Sequence, residues 1–184
     1  MKFLRAWVNG AVGPGVLDAQ GQRRDVSAVV VDITSKQLSG AGLQALQALD
    51  LSTLPTISGD APLLPPWADC AKFICIGLNY ADHAAESGLP IPAEPIIFTK
   101  AIHSRVGPNH DVVLPKGSVK TDWEVELGVV IGQVARYVDQ ADALAHVAGY
   151  CVINDVSERE YQIERGGTWD KGKGCDTFGP VGPW

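Results

Sequence analysis

Trp123-Glu124-Val125-Glu126-Leu127-Gly128-Val129 places two carboxylates two residues apart in an otherwise apolar run. Side chains of an extended segment alternate between faces, so Glu124 and Glu126 share one face while Trp123, Val125 and Leu127 share the other. Like charges held this close must be solvated, share a proton or bind a cation, and their hard oxygens suit Mg2+, Mn2+ or Ca2+. An ordinary solvent-facing strand would show the same pattern. A third acid, Asp155, ends the apolar run before Val156-Ser157-Glu158-Arg159-Glu160-Tyr161-Gln162. Ser157 and Glu160 have capping-box spacing, and Arg159 and Gln162 would lie on one helical face beside that acid. There Asp155 could serve a metal together with a carboxylate substrate held by Arg159 and Gln162, or merely cap the helix.

His83 and Glu86 stand three apart in Asn79-Tyr80-Ala81-Asp82-His83-Ala84-Ala85-Glu86. On a helix they can touch, and a carboxylate beside an imidazole raises its basicity toward water. An exposed helix with an incidental His/Glu pair reads the same way. Gly167-Thr168-Trp169-Asp170-Lys171-Gly172-Lys173-Gly174 nearly matches a phosphate-binding loop, but Gly174 stands where Ser or Thr must reach magnesium. Lys173 is then a cation near a pocket or a solvated surface lysine.

Several elements must position these groups. Lys2 to Val8 alternates, Asn9-Gly10 supplies a turn, and Val16-Leu17 resumes before a second turn at Gly21, which predicts an opening hairpin. Val29 to Ile33 reads as a short strand, and Leu43, Leu46 and Leu49 space a short helix after Ser39-Gly40. Pro55, Pro62, Pro65 and Pro66, with Ser58 and Gly59, make residues 54–69 a linker or surface strap. Beyond it, a buried strand at Phe73–Ile76 leads to a short helix ending near Ser87. Further strands are expected at Pro95–Thr99, Asp111–Leu114, Trp123–Ile131 and Gly149–Ile153.

Hydrophobic residues make up 46% of the 184 and charged residues 20%, an ordinary globular balance that argues against disorder. A formal charge of -6 disfavours nucleic acid, whose binders cluster Lys and Arg. No apolar run approaches a bilayer span and no signal segment opens the chain, so neither membrane attachment nor export is expected and the reading is cytoplasmic. Cys70, Cys75, Cys151 and Cys175 form no CxxC pair, which makes zinc improbable. Cys75 and Cys151 read as small reduced hydrophobes.

Taken in order, Ile76-Gly77-Leu78-Asn79-Tyr80 with His83 and Glu86, Asp122 to Leu127, Asn154 to Arg159 and Lys171-Gly172-Lys173-Gly174-Cys175-Asp176 resemble the fumarylacetoacetate hydrolase family. The resemblance implies Glu124, Glu126 and Asp155 as ligands of Mg2+ or Mn2+. It also implies His83 and Glu86 as a water-activating dyad on a lid, Lys173 as a third catalytic group, and Arg159, Gln162 and Lys100 around the substrate. The implied fold is α+β and strand-rich: a small β-rich N-terminal domain (1–53), the Pro-rich linker (54–69), and a mixed β-roll or barrel (70–184) cut short at its carboxyl end. The implied assembly is a homodimer. The implied activity is hydrolysis of a carbon–carbon bond in a 2,4-diketo acid, with 2,4-diketo-3-deoxy sugar acids most similar. A lyase or decarboxylase of oxaloacetate type, or an inactive fragment, is the rival reading.

Overall fold

The computed structural model describes residues 1–184. β1 (Lys2–Val8) and β2 (Ala11–Leu17) pair from Lys2↔Leu17 to Val8↔Ala11, closed by Asn9-Gly10. Both turn residues have positive φ (50° and 82°), the geometry whose twist matches a two-residue hairpin. β3 (Arg23–Asp25) adds beyond β2. Leu46 of α1 (Gly40–Gln47) joins Val16, Val26, Ile33 and Leu38 in the first core.

The Pro-rich segment is stitched into this sheet. β4 (Leu63–Leu64) pairs with Arg5 and Ala6, giving the order β3-β2-β1-β4. Proline lacks an N–H but keeps its carbonyl, so Pro62 O accepts from Trp7 N (2.8 Å) and Pro55 O from Asp25 N (2.8 Å). Ile57 and Leu63 bury their side chains against Leu4 and Ala6. The strand expected at Val29–Ile33 does not form. Asp25 accepts from Ser27 N (2.8 Å), and Val29 N and Val30 N both turn back to Val26 O (2.8 and 3.0 Å). These local bonds outcompete β-propensity, leaving Val31 93% exposed.

The remainder begins with β5 (Ile74–Gly77), α2 (Ala81–Glu86) and β6 (Ile96–Thr99), β5 and β6 pairing antiparallel. Then come β7 (Arg105–Val106), β8 (Thr121–Asp122), β9 (Val125–Ile131), β10 (Val147–Asn154), β11 (Ser157–Glu158), α3 (Asp170–Lys173) and β12 (Gly179–Gly182). The main sheet runs β7-β12-β10-β9, with β7 and β12 parallel, and β8 pairs separately with β11. Asp111–Leu114, expected as a strand, pairs with none. Val113 N instead meets Thr177 Oγ1 (2.7 Å), and Pro115 follows at once. Arg105 joins the halves by donating to Trp67 O (2.8 Å) and Ala68 O (2.6 Å).

The alternation expected at Trp123–Ile131 holds, but its polarity is inverted. Trp123, Val125 and Leu127 are 72, 69 and 61% exposed, and Tyr150 and Val152 of β10 are exposed with them. Within these residues the apolar face is uncovered, and the acidic face turns inward. Phe73–Ile76 is likewise not the buried strand expected, since Ile74 is 54% exposed.

Candidate active site

Glu124 and Asp155 lie side by side because the β9–β10 ladder continues past its last pair. Asp155 N donates to Glu124 O (3.0 Å), and Asn154 Oδ1 accepts from Glu124 N (3.2 Å). Glu126, opposite Ile153, follows on the same inward face. Lys173 Nζ sits between two of the acids, at 3.1 and 3.0 Å from the Glu124 oxygens and 2.8 Å from Asp155 Oδ2. Lys100 Nζ meets the other oxygen, Asp155 Oδ1, at 2.6 Å, and Val156 O at 3.0 Å. Arg159 pairs with Glu124 (2.6 Å) and Asp122 (2.8 Å) and donates to Gln162 Oε1 (3.1 Å).

Lys100 and Gln162, expected around a substrate, are both buried, and the Lys100 side chain has no exposure at all. It is therefore a neighbour of Asp155 rather than a wall of an open cleft. Arg159 and Gln162 do meet, as their spacing predicts, but on a π-helical turn (Glu160–Glu164) rather than an α-helix. The expected Ser157/Glu160 capping box is absent. Ser157 is held in β11 opposite Asp122, and its hydroxyl donates to Asp155 O (2.9 Å). Glu158 provides the anchoring instead. Fully buried, it accepts from Lys120 N (2.8 Å) and Tyr161 N (2.7 Å).

Glu126 makes no ion pair. Burial, then Glu124 and Asp155, push its carboxyl above the usual range against the opposing pull of Lys173 and His83. An acid whose pKa is higher folded than unfolded contributes stability at low pH and loses it as pH rises from the unfolded value, near 4.5, through the raised folded one. Glu126→Gln is therefore expected to melt above wild type at pH 7 without added metal, with the gap closing below about pH 4. Melting curves at both pH values check this, and an equal gap at each contradicts it.

α3 is docked on both sides. Asp170 Oδ1 accepts from Thr99 N (3.1 Å) and Thr99 Oγ1 (2.5 Å), and the Lys173 ammonium lies 5.0 Å from the Phe98 ring centroid. Gly172 touches the end of β11 and the π-helical turn so closely that a Cβ would stand 2.3 Å from Glu158 O and 2.7 Å from Gln162 N. Both neighbours are backbone and cannot step aside. Gly172→Ala should lower stability by about 1–3 kcal/mol through overpacking and displace Lys173. Urea unfolding reads the first effect, and a variant as stable as wild type contradicts it.

His83 and Glu86 are both exposed on α2, one turn apart, and no hydrogen bond joins them. Leu127 N donates to Tyr80 Oη (3.3 Å), which ties the start of α2 to the strand carrying Glu126. Burial pushes the thiols of Cys75 and Cys151 up, to about 12 and about 11, so neither is a ready thiolate.

No three acidic, His or Cys side chains meet closely enough to enclose a metal ion as they stand. Their chemistry nevertheless suits one. All three donors are hard carboxylates, and the Lys173 ammonium stands in for a cation between two of them. Asp122, Glu158 and Asp170 were missed as supporting residues. A signal for the first exists, since Asp122, Glu124 and Glu126 recur every second residue.

Residues 72–184 match the family model described as fumarylacetoacetate (FAA) hydrolase C-terminal. A Burkholderia lata protein carrying a provisional hydrolase name is 60% identical over all 184 residues, and a similarly named Burkholderia multivorans protein is 61% identical. The chain spans 65% of the length of each. Among solved structures, a fumarylacetoacetate hydrolase from Exiguobacterium antarcticum superposes over the whole chain and 65% of its own (TM-score 0.83, 33% identity). A 5-carboxymethyl-2-hydroxymuconate delta-isomerase from Mycobacterium smegmatis superposes over the whole chain and 66% of its own (TM-score 0.76, 30% identity). The mixed α+β, strand-rich architecture is the one these structures share.

Proposed function

The chain belongs to the fumarylacetoacetate hydrolase family, and on that premise we propose that it carries the acid-lined part of a hydrolase site that cleaves a carbon–carbon bond in a 2,4-diketo acid, releasing pyruvate. The observation that carries this reading is the inward cluster of Glu124, Glu126 and Asp155, with Lys173 clasped between two of them and Arg159 alongside. Glu124, Glu126 and Asp155 would hold Mg2+ or Mn2+, which when bound supplies Lewis-acid charge for the oxygens of a 2-oxo carboxylate. Arg159, held in place by Asp122, Glu124 and Gln162, would set a fixed positive charge beside the substrate carboxylate. His83 takes a proton from the attacking water at a ring nitrogen, and the Glu86 carboxylate orients the imidazole once the two are brought together. Attack at the distal 4-oxo carbon breaks the bond to C3, and the electron pair leaves as pyruvate enolate. The Lys173 ammonium steadies the oxygen on which charge develops.

The decisive assay is a panel of 2-oxo and 2,4-dioxo acids, 2,4-diketo-3-deoxy sugar acids included, scored with Mn2+ for pyruvate and the accompanying acid. Carbon dioxide in place of that acid would replace hydrolysis with decarboxylation. A second reading, isomerisation of a hydroxydiene di- or tricarboxylate, is favoured by the names of two structural neighbours, the Mycobacterium smegmatis enzyme and a 2-hydroxyhepta-2,4-diene-1,7-dioate isomerase from Mycobacterium marinum at 29% identity. A shift in the diene absorbance without carbon–carbon cleavage would select it.

A further inference from the structure

Lys100 is a charged side chain sealed from solvent in a strand-rich shell, an arrangement that persists only where the ammonium is well partnered. Its place is fixed along the backbone as well as at its tip. Lys100 N donates to Phe73 O (3.0 Å), and the preceding Thr99 is clasped by Asp170 of the helix that carries Lys173. At the tip, the bonds to Asp155 Oδ1 and Val156 O reach one carboxylate oxygen and the main chain just beyond it. The terminal torsion of an aspartate is broad when free, and a bond to one oxygen narrows it, so the other oxygen favours one direction. For Asp155 that oxygen is Oδ2, which points to the ammonium shared with Glu124.

We propose that Lys100 is a positioning residue whose buried ammonium pins Oδ1 of Asp155, so that Oδ2 is the one oxygen presented beside Glu124. The inference rests on the reading of Glu124, Glu126 and Asp155 as cation holders, and it removes Lys100 from the substrate's surroundings. Partners that orient a metal-binding side chain from behind govern affinity for the ion, whereas a substrate contact governs KM.

Lys100→Met, which keeps the length and loses the charge, separates these roles. Mn2+ affinity is read by calorimetry, and KM is read with 2,4-dioxopentanoate at saturating Mn2+. Pinning predicts a Mn2+ Kd weakened by about 10- to 100-fold while KM moves by less than about threefold. A raised KM with Mn2+ affinity unchanged would make Lys100 a substrate contact. A lowered melting temperature with both constants unchanged would make it merely structural, and either result overturns the proposal. Should the wild-type protein bind no Mn2+, the cation reading itself falls, and Lys100 is then judged on melting temperatures of Lys100→Met, Asp155→Asn and the double variant. A double variant no less stable than either single one upholds the pin, whereas additive losses refute it.

Discussion

Asp155→Ala is expected to destabilise the protein by about 3–5 kcal/mol, the loss that follows when one partner of a buried ion pair is removed and the other remains. Here two ammonium groups would be stranded. The Asp155 side chain is 6% exposed, and those of Lys100 and Lys173 are 0% and 2%. Lys100 would retain only Val156 O, while Lys173 would retain Glu124. The Lys100 side chain has no solvent exposure, so its stranded ammonium would start without hydration to replace the lost carboxylate. A melting or urea curve unchanged from wild type would show that the two lysines do not depend on this acid.

His83→Ala should leave the fold intact and lower turnover by about 10²- to 10⁴-fold, the range that a positioned general base supplies. His83 is exposed on a short helix and contributes little packing, so its removal carries no cavity penalty. Glu86→Gln should give a smaller drop, because it leaves the imidazole in place and removes only the charge that orients it. Steady-state rates on the best substrate of the 2,4-dioxo acid panel, with Mn2+ saturating, measure both. Full turnover in His83→Ala would remove the imidazole from the reaction.

How much of this was legible in the sequence follows from the range of the forces involved. The Asn9-Gly10 hairpin and the α1 and α2 helices depend on local backbone preferences, and each forms where its residues point. The two-residue period of β9 correctly placed Glu124 and Glu126 together. It could not say which face turns inward, because that depends on what covers the sheet, and the exposed Trp123, Val125 and Leu127 reverse the usual expectation. The Ser157 cap failed for a related reason. Pairing with Asp122, distant along the chain, holds Ser157 extended, and Glu158 takes over the anchoring. Lys100 and Lys173 look like surface lysines by type. Their burial arises from contacts with Asp155 across 55 and 18 residues, which no local pattern encodes.

The cation-holding role of the three acids is tested most directly by titrating the metal-free protein with Mn2+ and following the free ion by electron paramagnetic resonance, for wild type and Glu126→Ala in parallel. One saturable site per chain is predicted for wild type, with affinity sharply reduced in the variant. No saturable binding by wild type, or equal binding by both proteins, would contradict it.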